Sequence, residues 1–130
     1  MDNKSIKILV IDDEQGILDG SQMILEDEGF VVVTASEGYQ AVDVFEKERP
    51  QLVIVDVHLG YSKIHGLEVL KRIRAIDPKF ECIVLSRVTD MESKNKAKAL
   101  GVKYYLQKPL ETEVWLSKIL DMAASIKPKE

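Results

Sequence analysis

Gln51-Leu52-Val53-Ile54-Val55-Asp56 carries the strongest structural signal in the chain. Four apolar residues run without a polar break into one carboxylate, the pattern of a strand buried on both faces in a parallel sheet. Arg49-Pro50 sets its start, because proline donates nothing to a ladder and restricts the residue before it. Asp56 falls at the carboxyl end of this strand, where open α/β sheets place their ligands. Alone, it reads equally well as an aspartate capping the next loop. The rest of the chain separates the two readings.

Upstream, Ile6-Lys7-Ile8-Leu9-Val10-Ile11 is a second such run, and it stops at Asp12-Asp13-Glu14. Adjacent acids after a buried strand are costly unless something positive neutralises them. Glu14 to Glu28 reads as a helix with Ile17, Leu18, Met23, Ile24 and Leu25 as its apolar face, closed by Gly29. Phe30 to Thr34 is the next strand, and Ser36 is the expected cap of a helix from Glu37 to Glu48.

Downstream, a loop from Val57 to His65 precedes a helix from about Gly66 to Ile76, ended by Asp77-Pro78. Ile83-Val84-Leu85 is a fourth strand ending at Ser86, followed by a helix from about Met91 to Leu100 that Gly101 stops. Lys103 to Leu106 is a short fifth strand running into Gln107-Lys108-Pro109. A last helix runs from Glu111 to about Ile126, with Trp115, Ile119, Met122 and Ile126 on one stripe. Five strands alternating with five helices predict a doubly wound α/β fold. Its five-stranded parallel sheet takes the flavodoxin-like order 2-1-3-4-5, with helices on both faces.

The 130 residues suit one domain, with a core over about 6–126 and a polar tail at 127–130. A net charge of −4 gives no case for nucleic-acid binding by this segment. No apolar run approaches the roughly 20 residues of a membrane span. Nothing at Met1 reads as a signal peptide. The single cysteine, Cys82, lies within the strand run Glu81 to Leu85, so a buried structural thiol is expected and no internal disulfide can form. The expectation is a cytoplasmic protein.

In this topology the carboxyl ends of four strands meet along one edge and bring Asp12, Asp13, Asp56, Ser86 and Lys108 together. Clustered carboxylates make a hard oxygen site suited to Mg²⁺ or Mn²⁺, and no histidine–cysteine set argues for zinc. A carboxylate nucleophile, a divalent cation, a lysine and a hydroxyl are the parts of a phosphoryl-transfer site.

Val10-Ile11-Asp12-Asp13-Glu14, Val53-Ile54-Val55-Asp56, Leu85-Ser86 and Lys108-Pro109 together resemble the receiver domain of two-component response regulators, from Ile8 to about Ala124. Each motif alone is common; four in order, each ending its own strand, are specific. The resemblance implies a phosphorylation-dependent signalling switch, not an enzyme with a separate substrate. Asp56 would accept a phosphoryl group from a histidine kinase or histidine phosphotransfer protein. Asp12, Asp13, Asp56 and the main-chain carbonyl of His58 would hold the metal. Ser86 and Lys108 would bind phosphoryl oxygens, and Ser86 with Tyr105 would form the switch. The Lys108-Pro109 bond would be cis. The face built by the fourth helix, fifth strand and fifth helix would be remodelled and would offer a homodimer surface, with Leu116 and Leu120 contributing. No membrane partner is implied, and the chain is expected to be a stand-alone or excised receiver.

Two other readings compete with this one. An aspartyl phosphohydrolase on a similar sheet usually carries a second acid two residues after its nucleophile, and His58 stands there. A degenerate receiver that only binds would not need the full set of acids, hydroxyl and lysine. Three departures from the family pattern carry further expectations. Arg87 replaces a small residue after the hydroxyl, so it is expected to lie across Asp12, Asp13 or Asp56, or else to swing into solvent. With His58 and Val88 it would limit water access to the phosphoryl group. Gly60 replaces a proline, and Gly66 comes ten residues after Asp56 rather than eight, so the loop from Val57 to His65 is expected to be unusually free. His58 and His65 read as solvated loop residues. The fourth helix, rich in lysine and thin in apolar residues, is expected to be the least anchored element.

Overall fold

In the computed structural model, which describes residues 6–60, 62–87 and 90–126, five strands alternate with five helices. They are β1 (Lys7–Ile11), α1 (Gln15–Asp27), β2 (Val31–Ala35), α2 (Gly38–Glu48), β3 (Leu52–Asp56), α3 (Gly66–Ile76), β4 (Glu81–Ser86), α4 (Met91–Ala99), β5 (Tyr104–Gln107) and α5 (Thr112–Ser125). The strands pair in parallel in the order β2-β1-β3-β4-β5, as the sequence predicts. Val88 and the tail 127–130 lie outside the described residues.

Strand alternation divides the core into two layers. Leu9, Ile11, Val53, Val55, Cys82 and Val84 face one side, with Ala41 and Phe45 of α2 and Val69, Leu70 and Ile73 of α3. Ile8, Val10, Leu52, Ile54, Ile83 and Leu85 face the other, against Leu18 and Leu25 of α1 and Trp115, Ile119 and Met122 of α5. The central strand β3 is buried at all five residues, which accounts for its unbroken apolar run. Among the described residues no helix is long and apolar enough to cross a membrane.

Some local expectations are corrected. Glu37, not Ser36, caps α2: its carboxylate accepts the backbone N–H groups of Tyr39 and Gln40, while Ser36 bonds the Gln40 side chain. Met23 is 70% exposed rather than part of the core face of α1. It lies five residues beyond Leu18, a rotation of about 140° that takes it off the buried stripe. Leu116 and Leu120 are half-buried against the core, so they offer less free surface than their place off the main stripe suggested.

The loop from Val57 to His65 is anchored at several of its described residues. Val57, Leu59 and Ile64 are buried in the α2–α3 layer. The Ser62 hydroxyl accepts the Gly38 N–H at 2.8 Å and donates to the Ile64 carbonyl at 2.6 Å. His65, expected to be merely solvated, accepts the Leu59 N–H on Nδ1 at 3.0 Å. The exposed His58 ring meets it edge-on at 6.1 Å. The loop's length thus carries buried residues and hydrogen-bonded anchors.

The α4 helix buries one residue, Ala97, as its lysine-rich sequence predicts. Its C-terminal end has a second hold. Arg74 of α3 donates to the carbonyls of Leu100 (2.8 Å) and Gly101 (3.2 Å), and also to those of Pro78 and Phe80.

Candidate functional site: a carboxylate cluster closed by a lysine

Asp12 follows β1, Asp56 ends β3, Ser86 ends β4 and Lys108 follows β5, so parallel pairing delivers all four to one edge of the sheet. Asp12, Asp56 and Ser86 are the buried polar side chains of the structure's described residues. The Lys108 ammonium lies between the two acids, 2.9 Å from Asp12 Oδ2 and 2.8 Å from Asp56 Oδ2. The other oxygen of each accepts a backbone N–H two residues on: Glu14 for Asp12 at 3.0 Å and His58 for Asp56 at 3.1 Å. Both carboxylates are thus fixed at both oxygens before any ligand arrives. Burial pulls the Lys108 pKa down, but the hydrogen bonds and charges of Asp56 and Asp12 outweigh it and leave it above the ordinary lysine value. The lysine is therefore a fixed cation at neutral pH.

Carboxylate oxygens of Asp12, Asp13 and Asp56 all lie within 4.8 Å of one another. Three carboxylates against one ammonium leave formal charge −2, which a divalent cation would balance. An all-oxygen donor set of this kind fits a hard ion. Asp13 is exposed, at the open side of the cluster.

Backbone contacts hold the frame. The Lys108 N–H donates to the Ser86 carbonyl at 2.7 Å, and the Lys108-Pro109 bond is cis, as the resemblance implies. A Cβ on Gly66 would stand 2.2 Å from the Asp56 carbonyl, so only glycine lets α3 start this close to β3. Tyr105 pairs with Val84, two residues before Ser86, and is half-buried against the α2–α3 layer. Residues two apart on a strand share a face, so Tyr105 and Ser86 share that side of the sheet.

Arg87 does not lie across Asp12, Asp13 or Asp56. Its guanidinium meets Glu14 Oε1 at 3.2 Å, and both side chains are more than half exposed. The pair links the end of β4 to the start of α1 beside the site. A groove of about 730 Å³ runs from Arg87 and Lys108 between α1 and the start of α5, past Ile17, Ile24, Pro109 and Trp115.

A buried aspartate at the end of the central strand, two further acids, a strand-end hydroxyl and a lysine clamped between carboxylates define the phosphoacceptor class of doubly wound domains. Similarity to known proteins agrees. The response regulator receiver domain profile matches residues 8–120. Sporulation initiation phosphotransferase F of Bacillus subtilis is 32% identical over 107 residues, covering 82% of this chain and 85% of that protein. The uncharacterized transcriptional regulatory protein YesN of the same organism is 34% identical over 127 residues. Those residues are 95% of this chain but 34% of YesN, so the chain spans about a third of that relative. A CheY-like receiver domain protein from Methanospirillum hungatei superposes with a TM-score of 0.86 at 27% identity, covering 92% of this chain and 94% of that one. The chain belongs to the response regulator receiver domain family, the phosphoacceptor switches of two-component signalling.

Sequence reasoning placed the five site residues but missed two contacts around them. The Gly60 backbone packs on Asp13, and Glu14 partners Arg87. The first had a signal in the missing proline; the second had none, because ion pairing between distant exposed residues leaves no local pattern.

Proposed function

We propose that Asp56 is the residue phosphorylated, by a histidine kinase or histidine phosphotransfer protein, and that the chain acts as a cytoplasmic switch with no other substrate. A carboxylate oxygen of Asp56 attacks the phosphorus of the donor's phosphohistidine. The new P–O bond forms as the P–N bond breaks, and its electron pair leaves on the imidazole nitrogen. Asp12, Asp13, Asp56 and the main-chain carbonyl of His58 would hold Mg²⁺ or Mn²⁺, which when bound offsets charge on the transferring group. Lys108, freed from its bond to Asp56, pairs with one phosphoryl oxygen, and the Ser86 hydroxyl donates to another. The groove between α1 and the start of α5 opens onto Lys108, so it is the side from which a phosphodonor would reach the site.

The switch follows from Ser86 and Tyr105 sharing one side of the sheet. Movement of Ser86 toward the phosphoryl group clears space for Tyr105 to turn inward, and the α4–β5–α5 face changes shape. That face is the contact surface for a second copy or a downstream partner. Residues 6–126 act as one unit, and Arg87 and His58, which follow β4 and β3, bound the access of water to the phosphoryl group.

The observation that carries this reading is the buried Asp56 carboxylate held at one oxygen by Lys108 and at the other by the His58 N–H. Incubation with acetyl phosphate and Mg²⁺ is expected to add one acid-labile phosphoryl group, seen as a single mass shift. Asp56→Asn abolishes it. Full labelling of that variant overturns the assignment.

A further inference from the structure

The three acids of the cluster are not held alike. Asp12 and Asp56 are each fixed at both oxygens, by Lys108 and by a backbone N–H. Among the described residues no hydrogen bond or ion pair reaches the Asp13 carboxylate, and Asp13 is exposed. A free exposed carboxylate samples several rotamers, and ordering one for a ligand costs affinity.

A wall confines it instead. Gly60 has φ +53°, and a Cβ built there would stand 2.5 Å from Asp13 Oδ2 and 3.3 Å from its Cγ. The Gly60 backbone therefore passes directly against the carboxylate, with no room for a side chain between them. Described residues before and after Gly60 are anchored. Leu59 is buried at 1% exposure and its N–H is held by His65 Nδ1. The Ser62 N–H returns to the Leu59 carbonyl at 2.9 Å, and the Ser62 hydroxyl joins the start of α2 to Ile64.

We infer that Gly60 is a positioning residue for Asp13: the backbone of the loop between β3 and α3, bare at that point, holds the Asp13 carboxylate in the arrangement that binds a divalent cation. This rests on the metal role proposed above for Asp13. It also gives the replacement of proline by glycine a direct consequence at the site. A side chain at residue 60 pushes aside the Asp13 carboxylate, which is the end of a flexible side chain and yields without disturbing the core. The fold survives and the metal ligand is lost from its place.

Gly60→Asn tests this, because asparagine tolerates positive φ better than other side chains and still carries the offending Cβ. Mn²⁺ alone is titrated into the unphosphorylated protein and followed by loss of the free-ion electron paramagnetic resonance signal. Affinity is expected to fall about 10-fold, the range seen when a support for a metal ligand is removed, with the thermal midpoint little changed. Gly60→Ala is the second variant, read the same way should the first not fold. The decisive measurement repeats the substitution in an Asp13→Asn background, where residues acting through one another are non-additive. There the change at residue 60 is expected to have no further effect on Mn²⁺ binding. Parental affinity in both residue-60 variants, or an equal loss in both backgrounds, overturns the positioning role alone. Unchanged Mn²⁺ affinity in Asp13→Asn by itself overturns the metal role of Asp13, and the positioning role with it.

Discussion

Replacing Arg74 with methionine should detach α4 from α3 at one end. The guanidinium donates to four carbonyls, of Pro78, Phe80, Leu100 and Gly101, and its Cζ stacks 3.9 Å over the Phe80 ring. Methionine keeps most of the stem's volume, so the loss is in polar contacts and not in a cavity. The bonds to Pro78 and Gly101 are exposed and water replaces them at little cost. Those to Phe80 and Leu100 are part-buried, and each lost bond from a charged donor costs about 1.5 kcal/mol at the low end of its range. The stacked cation adds about 0.5–1 kcal/mol. The expected destabilisation is therefore about 3–4 kcal/mol, or roughly 10 °C in the thermal midpoint of a chain this size.

The loss should be uneven. Ala97 is the one buried residue of α4, so little else holds that helix once its C-terminal carbonyls are released. Urea unfolding reads the total, and amide hydrogen exchange reads its distribution. A local loss of about 3 kcal/mol accelerates exchange in α4 by about 100-fold. Arg74→Lys recovers only part, because an ammonium cannot span carbonyls so far apart as a planar fork does. Stability within about 0.5 kcal/mol of the parent would refute the reasoning, since that is the range of a neutral surface change. So would a fall in stability that leaves α4 exchange in step with β1.

Two further outcomes are expected. Arg87→Ala releases Glu14 and opens the edge of the site beside Lys108, so spontaneous dephosphorylation with Mg²⁺ present should quicken several-fold; an unchanged or slower rate rules out a shielding role. Burial pushes the Cys82 thiol up to about 11, against a smaller opposing pull from Arg74, so the folded state favours the neutral thiol. That contribution is complete below the ordinary thiol value and is lost as pH rises through about 11, so a Cys82→Ala variant should show less alkaline loss of stability than the parent. At pH 8 a disulfide reagent should modify the parent only as fast as β4 opens, and immediate labelling of the folded protein would contradict this placement.

The fold was legible because each strand announces itself locally. Runs such as Leu52 to Val55 have no polar break, and proline or glycine marks their limits, so element number and order follow from sequence alone. Acids, hydroxyl and lysine at strand ends were legible for the same reason: parallel pairing turns a sequence position into a place on the sheet edge. The misjudged details were decided by one residue of phase. Serine is the better intrinsic cap, yet the chain turns into α2 one residue later, and Glu37 supplies the oxygen. Met23 belongs to an apolar helix but not to its buried stripe.

The loop between β3 and α3 marks where sequence reasoning stops. Two additional residues and a lost proline argue for freedom when counted along the chain. Leu59 and Ile64 are isolated apolar residues in a polar stretch, with no period to reveal that both are buried. Ser62 and His65 carry no local sign that their partners are Gly38 and Leu59. Only the tertiary fold brings these together, and each adds a hold that a count along the chain does not register. A free loop would average over many approaches to the site, whereas the anchors at Leu59, Ser62 and Ile64 flank the point where Gly60 meets Asp13. Its departure from the family spacing therefore acts through the position of a carboxylate. Shortening the loop would remove the anchors as well as the length, which makes substitution at residue 60 the cleaner probe of what the loop contributes.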